Sequence, residues 1–227
     1  MQLSLPTVSI EHLRRALEEE VAELLAQPTT IGLAIFGSVA RGDYRAGSDI
    51  ELLVITHSTT GHEVSSSRRH GVCIHKHLQR SVDLEARRQI DWRIRPPFAD
   101  GWIVIDGDGQ LVKLKELDTQ LAKAGRRNLA PEEVDRLGHS LRDRLQELEG
   151  LEKDPVALGL LYHALIREAI RAFYALAGRW EPGPKRLSAD LRQHSPQFLA
   201  LIKQALLQSS DLERARQLVN LVLVLLR

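Results

Sequence analysis

Residues 31–56 read IGLAIFGSVARGDYRAGSDIELLVIT, and their reading decides the fold. Two short apolar runs, Ile31 to Phe36 and Ile50 to Ile55, flank a polar centre. Each run is the length of a buried strand, and glycine stops the first. Side chains alternate faces along a strand, so Asp49 and Glu51 are expected to point the same way, about 7 Å apart. Two such carboxylates suit a hard divalent cation such as Mg2+, which takes oxygen ligands and shares them with phosphate. Gly37 lets a ligand approach the backbone. Ser38 offers a hydroxyl and an amide where a short helix begins, a favourable place for a phosphate. The two halves together make a constellation for handling a nucleoside triphosphate.

Composition bounds the alternatives. The 227 residues accommodate either one large domain or two compact ones, and 43% apolar content supports a core. Lysine plus arginine number 31 against 30 acids, a net charge of +1. That balance argues against a long nucleic acid as partner. Cys73 is the only cysteine, so no internal disulfide forms and a reducing cytoplasm is the expected location. No amino-terminal run has the pattern of a signal peptide. The longest apolar stretch, Leu218 to Leu226, is interrupted by Asn220 and is too short to span a bilayer.

Around the central stretch, Ser9 is the expected N-cap of a helix carrying the stripe Ile10, Leu13, Leu17, Val21, Leu24 and Leu25, with Glu18, Glu19 and Glu20 on a solvated face. Residues 57–70 are polar and without periodicity, and read as a loop excursion whose arginines meet either phosphate or solvent. Val72 to Leu78 reads as a third strand with Cys73, His75 and His77 on one face and Val72 and Ile74 on the other. Ser81 is the expected cap of a helix running to about Trp92, anchored by Leu84 and Ile90. The prolines at 96 and 97 break regular structure. Trp102 to Ile105 reads as a fourth strand and Asp106-Gly107-Asp108-Gly109 as a turn. From Leu111 the period is helical. Helices are expected over 111–126, from Pro131 to about Glu149, from Asp154-Pro155 to Ala177, from Leu187 or Pro196 to Gln208, and from Asp211 onward, with a stiff loop RWEPGPKR at 179–186. The expected class is α+β: a small mixed-sheet domain over 1–110, then an all-helical bundle over 111–227 that handles substrate or partner.

The wording Gly37-Ser38-Val39-Ala40-Arg41-Gly42 followed by Ser48-Asp49-Ile50-Glu51-Leu52-Leu53-Val54 resembles the signature of the DNA polymerase beta-like nucleotidyltransferase superfamily. The layout of the chain is similar to that of the kanamycin nucleotidyltransferase-like proteins. The resemblance implies an Mg2+-dependent enzyme that moves a nucleoside monophosphate, AMP before the others, from a triphosphate such as ATP to a hydroxyl. The implied acceptor is a small molecule such as an aminoglycoside, or a protein hydroxyl. It implies that Asp49 and Glu51 hold the metal and that Gly37, Ser38 and Arg41 bind the nucleotide. A third carboxylate is usual on the third strand of such proteins. Here that face offers His75 and His77, which replace the missing ligand, act as a base, or serve only as polar residues on a half-exposed strand. His75 is the residue expected as the third metal ligand. By the same resemblance, Glu147 lies nearest the place of the acceptor's base, with Asp143 one turn earlier, and both also read as a solvated acidic face. Lys185, in the 179–186 loop, suits the triphosphate or an anionic acceptor. A homodimer is the implied assembly. The rival reading is a nucleotide-binding or partner-binding module that has lost its chemistry, regulatory or in a toxin–antitoxin-like pair. No Arg-x4–6-His motif occurs in the helical half, so a ribonuclease role there lacks support.

Overall fold

The computed structural model describes residues 4–90, 95–151, 153–207 and 211–225. They form an α+β chain that divides into two compact units. One holds the described residues up to 90 and 96–123. The other holds residue 95 and the described residues from 124.

The first unit is built on a five-stranded mixed sheet. Its strands are β1 (Thr30–Phe36), β2 (Ile50–Thr56), β3 (His62–Arg69), β4 (Val72–Gln79) and β5 (Trp102–Asp106), in the order β3-β4-β2-β1-β5. β2 and β4 run parallel, and every other neighbouring pair is antiparallel. Both apolar runs of the 31–56 stretch become central strands, joined through the short helix α2 (Gly37–Arg41). One face carries Leu33, Ile35, Ile50, Leu52, Val54 and Ile74 and is covered by α1 (Glu11–Leu25) through Leu13, Leu17, Val21 and Leu24. The other carries Ala34, Phe36, Leu53 and Ile55, covered by Phe98 and by Leu111 and Leu114 of α4 (Gln110–Ala124). Asp106, the last residue of β5 and not part of a turn as expected, accepts from the amides of Leu111 and Val112 at 3.2 and 2.9 Å and so starts α4.

The structure departs from four other local expectations. Ser9 does not cap α1. Ile10 holds the cap position without a side-chain bond, and the Ser9 amide instead donates to the Tyr44 hydroxyl at 2.8 Å, tying the chain before α1 to the motif loop. Residues 62–69 are a strand and not a loop. β3 is exposed on both faces, so it has no apolar alternation, and its eight-residue pairing with β4 makes it. Helix α3 (Leu84–Gln89) is shorter than expected and is capped by Asp83, which accepts from the Ala86 amide at 2.8 Å. Its expected end at Trp92 lies outside the described residues, and Ile90 is exposed.

The fourth departure, at Glu20, has energetic weight. Glu18 and Glu19 are exposed, but Glu20 is buried. Its carboxylate accepts from Lys76 Nζ at 2.7 Å and Arg69 Nε at 3.2 Å, which joins α1 to the β3–β4 hairpin. Glu20→Gln keeps the volume and removes the charge both cations face. It is expected to lower stability by about 1–3 kcal/mol in urea unfolding, whereas Glu18→Gln should leave the midpoint within error.

The second unit is all-helical: α5 (Pro131–Glu149), α6 (Pro155–Leu176), α7 (Pro184–His194), α8 (Pro196–Leu207) and α9 (Leu212–Val224). Its core centres on α6, with Tyr162, Leu165, Ala169, Phe173 and Tyr174 against Leu141, Leu191, Phe198 and Leu218. Phe173 and Phe198 stack at 4.2 Å. Asp154 caps α6 and Asp211 caps α9, each through two backbone amides. The expected loop at 179–186 ends early, because Pro184 occupies the first turn of α7, where its fixed φ suits a helix start. Tyr174 fastens α6 to α7 by donating to Asp190 Oδ2 at 2.5 Å, and burial first, then Asp190, pushes its phenol far above the usual range. The hydroxyl of Tyr162 is buried without a hydrogen-bond partner among the described residues. Tyr162→Phe removes that unmet polar atom and is expected to leave stability unchanged or raise it by about 1 kcal/mol in thermal unfolding.

Candidate active site

The site is assembled where β1 ends. Phe36 pairs in register with Glu51, and Gly37 follows at once with φ +71°. A β-carbon at Gly37 would stand 1.7 Å from Glu51 Oε2. Any β-carbon here would push the end of the Glu51 side chain away from the turn, and the left-handed backbone itself favours glycine. The turn and the acid strand that the sequence paired are in direct contact.

Ser38 follows Gly37. It is 8% exposed, and its hydroxyl oxygen is buried with no hydrogen-bond partner among the described residues. A buried hydroxyl without a partner costs stability unless a ligand or water meets it. Arg41 pairs with Asp43 at 3.3 Å. The loop between the motif halves is held from both sides. The Ser48 hydroxyl accepts the Arg45 amide at 2.9 Å, and His12 Nε2 lies 2.9 Å from the Ala46 carbonyl. Asp49 is therefore delivered to the start of β2 by a braced loop.

β4 supplies the next column. Glu51 pairs with His75, and His75 pairs in turn with Ser66 of β3. The Ser66 hydroxyl bonds His75 Nδ1 at 2.8 Å. The other ring nitrogen lies 3.8 Å from Asp49 Oδ2 and 3.5 Å from the Cys73 sulfur. His77, one row on, sits edge-to-face on Phe36 and stacks against His62. Burial first, then the charges of His62 and His75, lowers its pKa, so His77 is neutral near pH 7.

Asp49 and Glu51 fit a hard divalent cation. Asp49 stands just before β2 and Glu51 within it, the missing β-carbon of Gly37 gives Glu51 room beside the backbone, and the Ser38 hydroxyl lacks a partner among the described residues. Among the described residues no group of three or more His, Cys, Asp or Glu side chains forms a complete metal cage. His75 fits a position beside the Asp49 carboxylate better than the ligand position expected of it, because imidazole is a poor partner for Mg2+. Glu147, Asp143 and Lys185 belong to the second unit: the acids lie on α5 and Lys185 in the first turn of α7.

Some of the site escaped the sequence reading. Ser66 lay in the stretch read as a loop. Asp118, fully buried on α4, accepts two bonds from Arg87, each 2.7 Å, and one from the Phe98 amide at 2.9 Å. It thereby holds Phe98 against Phe36, with ring centroids 4.8 Å apart. An aspartate on an amphipathic helix gives no sign of burial, and its partners lie 20 and 31 residues away.

These features define a class. Residues 14–100 match the family model of the nucleotidyltransferase domain. Residues 14–100 therefore carry a nucleotidyltransferase domain of the polymerase beta-like superfamily, which supports nucleotidyl transfer as the activity. Among solved structures it is similar to a nucleotidyltransferase-like protein from Exiguobacterium sibiricum, at 22% identity and a TM-score of 0.45, over 94% of this chain and 74% of that one. A comparison with the curated proteins finds no match. No helix among the described residues is long and apolar enough to cross a membrane.

Proposed function

We propose that the chain transfers AMP from ATP to a hydroxyl group of a small molecule, with Mg2+ held by Asp49 and Glu51. The contact between the Gly37 turn and the Glu51 carboxylate supports this reading, because the turn assigned here to phosphate and the strand assigned to metal meet there. The Gly37–Ser38 turn binds the terminal phosphates, and the unpartnered Ser38 hydroxyl supplies one bond. Arg41 lies in the same turn and adds positive charge. His75, held by Ser66, stands 3.8 Å from Asp49 Oδ2. The metal, when bound, neutralises charge developing on the α-phosphorus and on the leaving group.

In the transfer, the acceptor oxygen bonds to the α-phosphorus. The bond from that phosphorus to its bridging oxygen breaks, and pyrophosphate leaves with the electron pair. The acceptor's proton passes to a carboxylate; Glu147, with Asp143 a turn away, is the candidate that the resemblance supports. Lys185 is a cation for the triphosphate. The sheet unit handles the nucleotide. The single free Cys73 supports a cytoplasmic location. The homodimer rests on the likeness to kanamycin nucleotidyltransferase-like proteins, which also makes aminoglycosides acceptors to be tested.

The β4 face carries His75 where a third carboxylate is usual, and this favours one rival, a module that binds nucleotide without transfer. Incubation with Mg2+, labelled ATP and a panel of hydroxylated acceptors, aminoglycosides included, separates the two. Pyrophosphate release that falls at least about 100-fold in Asp49→Ala supports transfer. Tight ATP binding without release under any acceptor supports the module.

A further inference from the structure

Beyond Asp49 and Glu51 the site face continues outward over β4 and β3. Pairing in register sets the rows: Glu51 with His75 and Ser66, then Leu53 with His77 and Val64. Cys73 and Arg68 pair one step toward Asp49. Each strand offers four positions to this face, and none of the eight is Asp or Glu. Three are histidines and one is Arg68. Glu63, the acid of this hairpin, lies on the opposite alternation and accepts from the Thr59 hydroxyl at 2.6 Å.

The two neighbouring arginines of β3 are treated oppositely. Arg69, on the α1 face, is surrounded by Glu19, Glu20 and Glu23. Arg68, on the site face, is exposed and has no carboxylate partner among the described residues. Two strand spacings, about 10 Å, separate its column from that of Asp49. A polycationic acceptor laid on this surface would meet a guanidinium and imidazole N–H groups with no acid to receive its ammonium groups, and like charges brought together oppose binding. A phosphate or carboxylate would find a guanidinium able to bind it in two-fold fashion.

We propose that the acceptor is an anionic hydroxyl compound, its phosphate or carboxylate held by Arg68 beside the imidazoles of β4, and that polycationic amino sugars are poor acceptors. This rests on the transfer reading above. The acceptor's free hydroxyl displaces pyrophosphate from ATP as written there, and the anionic group takes no part in the bond changes.

The test uses the full chain with Mg2+ and ATP, and compares glucose 6-phosphate, gluconate, glucose and kanamycin as acceptors. Pyrophosphate release is expected to be at least about tenfold faster, as kcat/KM, with one of the anionic probes than with glucose or kanamycin. Which anion leads separates phosphate from carboxylate. Arg68→Gln should raise the KM for that probe about tenfold and leave the KM for ATP unchanged, while Arg68→Lys restores part of the loss. Equal or faster release with glucose or kanamycin overturns the proposal, as does an anion preference that survives Arg68→Gln. Binding of the anionic probes is also measured directly, by chemical shifts of the His75 and His77 rings in the presence of a non-hydrolysable ATP analogue. Arg68-dependent binding without release sinks the transfer reading and leaves the anion site standing. Release without Arg68-dependent binding does the reverse.

Discussion

Gly37→Ala is expected to reduce nucleotide transfer at least about 100-fold, more than any other single methyl added to this chain, since displacement of a reacting group by about 1 Å can cost that much. The new β-carbon would lie 1.7 Å from Glu51 Oε2, far inside contact distance, and the backbone at this position has φ +71°. Two separate costs follow. The left-handed backbone costs about 1–2 kcal/mol for any residue with a β-carbon. The clash moves the Glu51 carboxylate away from the place where it would share a metal with Asp49. A double-mutant cycle separates the two. Glu51→Ala removes the carboxylate that the methyl strikes. In Gly37→Ala/Glu51→Ala the steric part of the stability loss should vanish and only the backbone part remain. Additive losses in thermal unfolding would show that Glu51 is not where the turn closes. Gly42→Ala is the matched control: φ is +79° there, but no atom lies within 4 Å of the added carbon. It should show the backbone cost without the collapse in activity.

The central motif was legible because its signals are local. Glycine ends an apolar run, two acids alternate at the head of the next run, and both runs are buried enough to be wholly apolar on their inner faces. β3 was illegible for the opposite reason. Neither of its faces is buried, so its sequence carries no period, and only the backbone pairing with β4 specifies it. Ser66 was lost with it, and so was the bond that fixes the His75 ring. Glu20 shows a related limit. Three successive glutamates read as a solvated face, and the one that turns inward does so for Arg69 and Lys76, 49 and 56 residues away. Charge burial of this kind is decided by tertiary partners, and a helical stripe does not reveal it. At Pro184 the ambiguity was chemical: the same residue that stiffens a loop also opens a helix.

Asp118→Ala is expected to be the most destabilising change in the sheet unit outside its apolar core. Asp118 has no exposure to solvent, and all its bonds run to other elements: two from Arg87 on α3 and one from the Phe98 amide in the 3-10 turn Pro97–Asp100. Asp118→Ala removes a fully buried carboxylate and the three bonds it accepts, at a cost of about 3–5 kcal/mol. Urea unfolding at pH 7 measures it. The reciprocal change, Arg87→Ala, should cost a similar amount, because a buried carboxylate is then left with the Phe98 amide and no cation. The pair should also be strongly coupled. Arg87→Met/Asp118→Leu, which removes both charges and retains volume, should recover most of either single loss. A loss below about 1 kcal/mol for Asp118→Ala would place the pair with exposed ion pairs and refute its role as a clamp. The consequence for the site follows from Phe98. It packs on Phe36 at 4.8 Å, and Phe36 stands between the Gly37 turn and the Glu51 register. Freed from Asp118, the turn carrying Phe98 no longer fixes that wall. The folded fraction of Asp118→Ala should therefore transfer nucleotide more slowly than wild type, with kcat reduced, although the substitution lies on a helix and touches neither acid of the site.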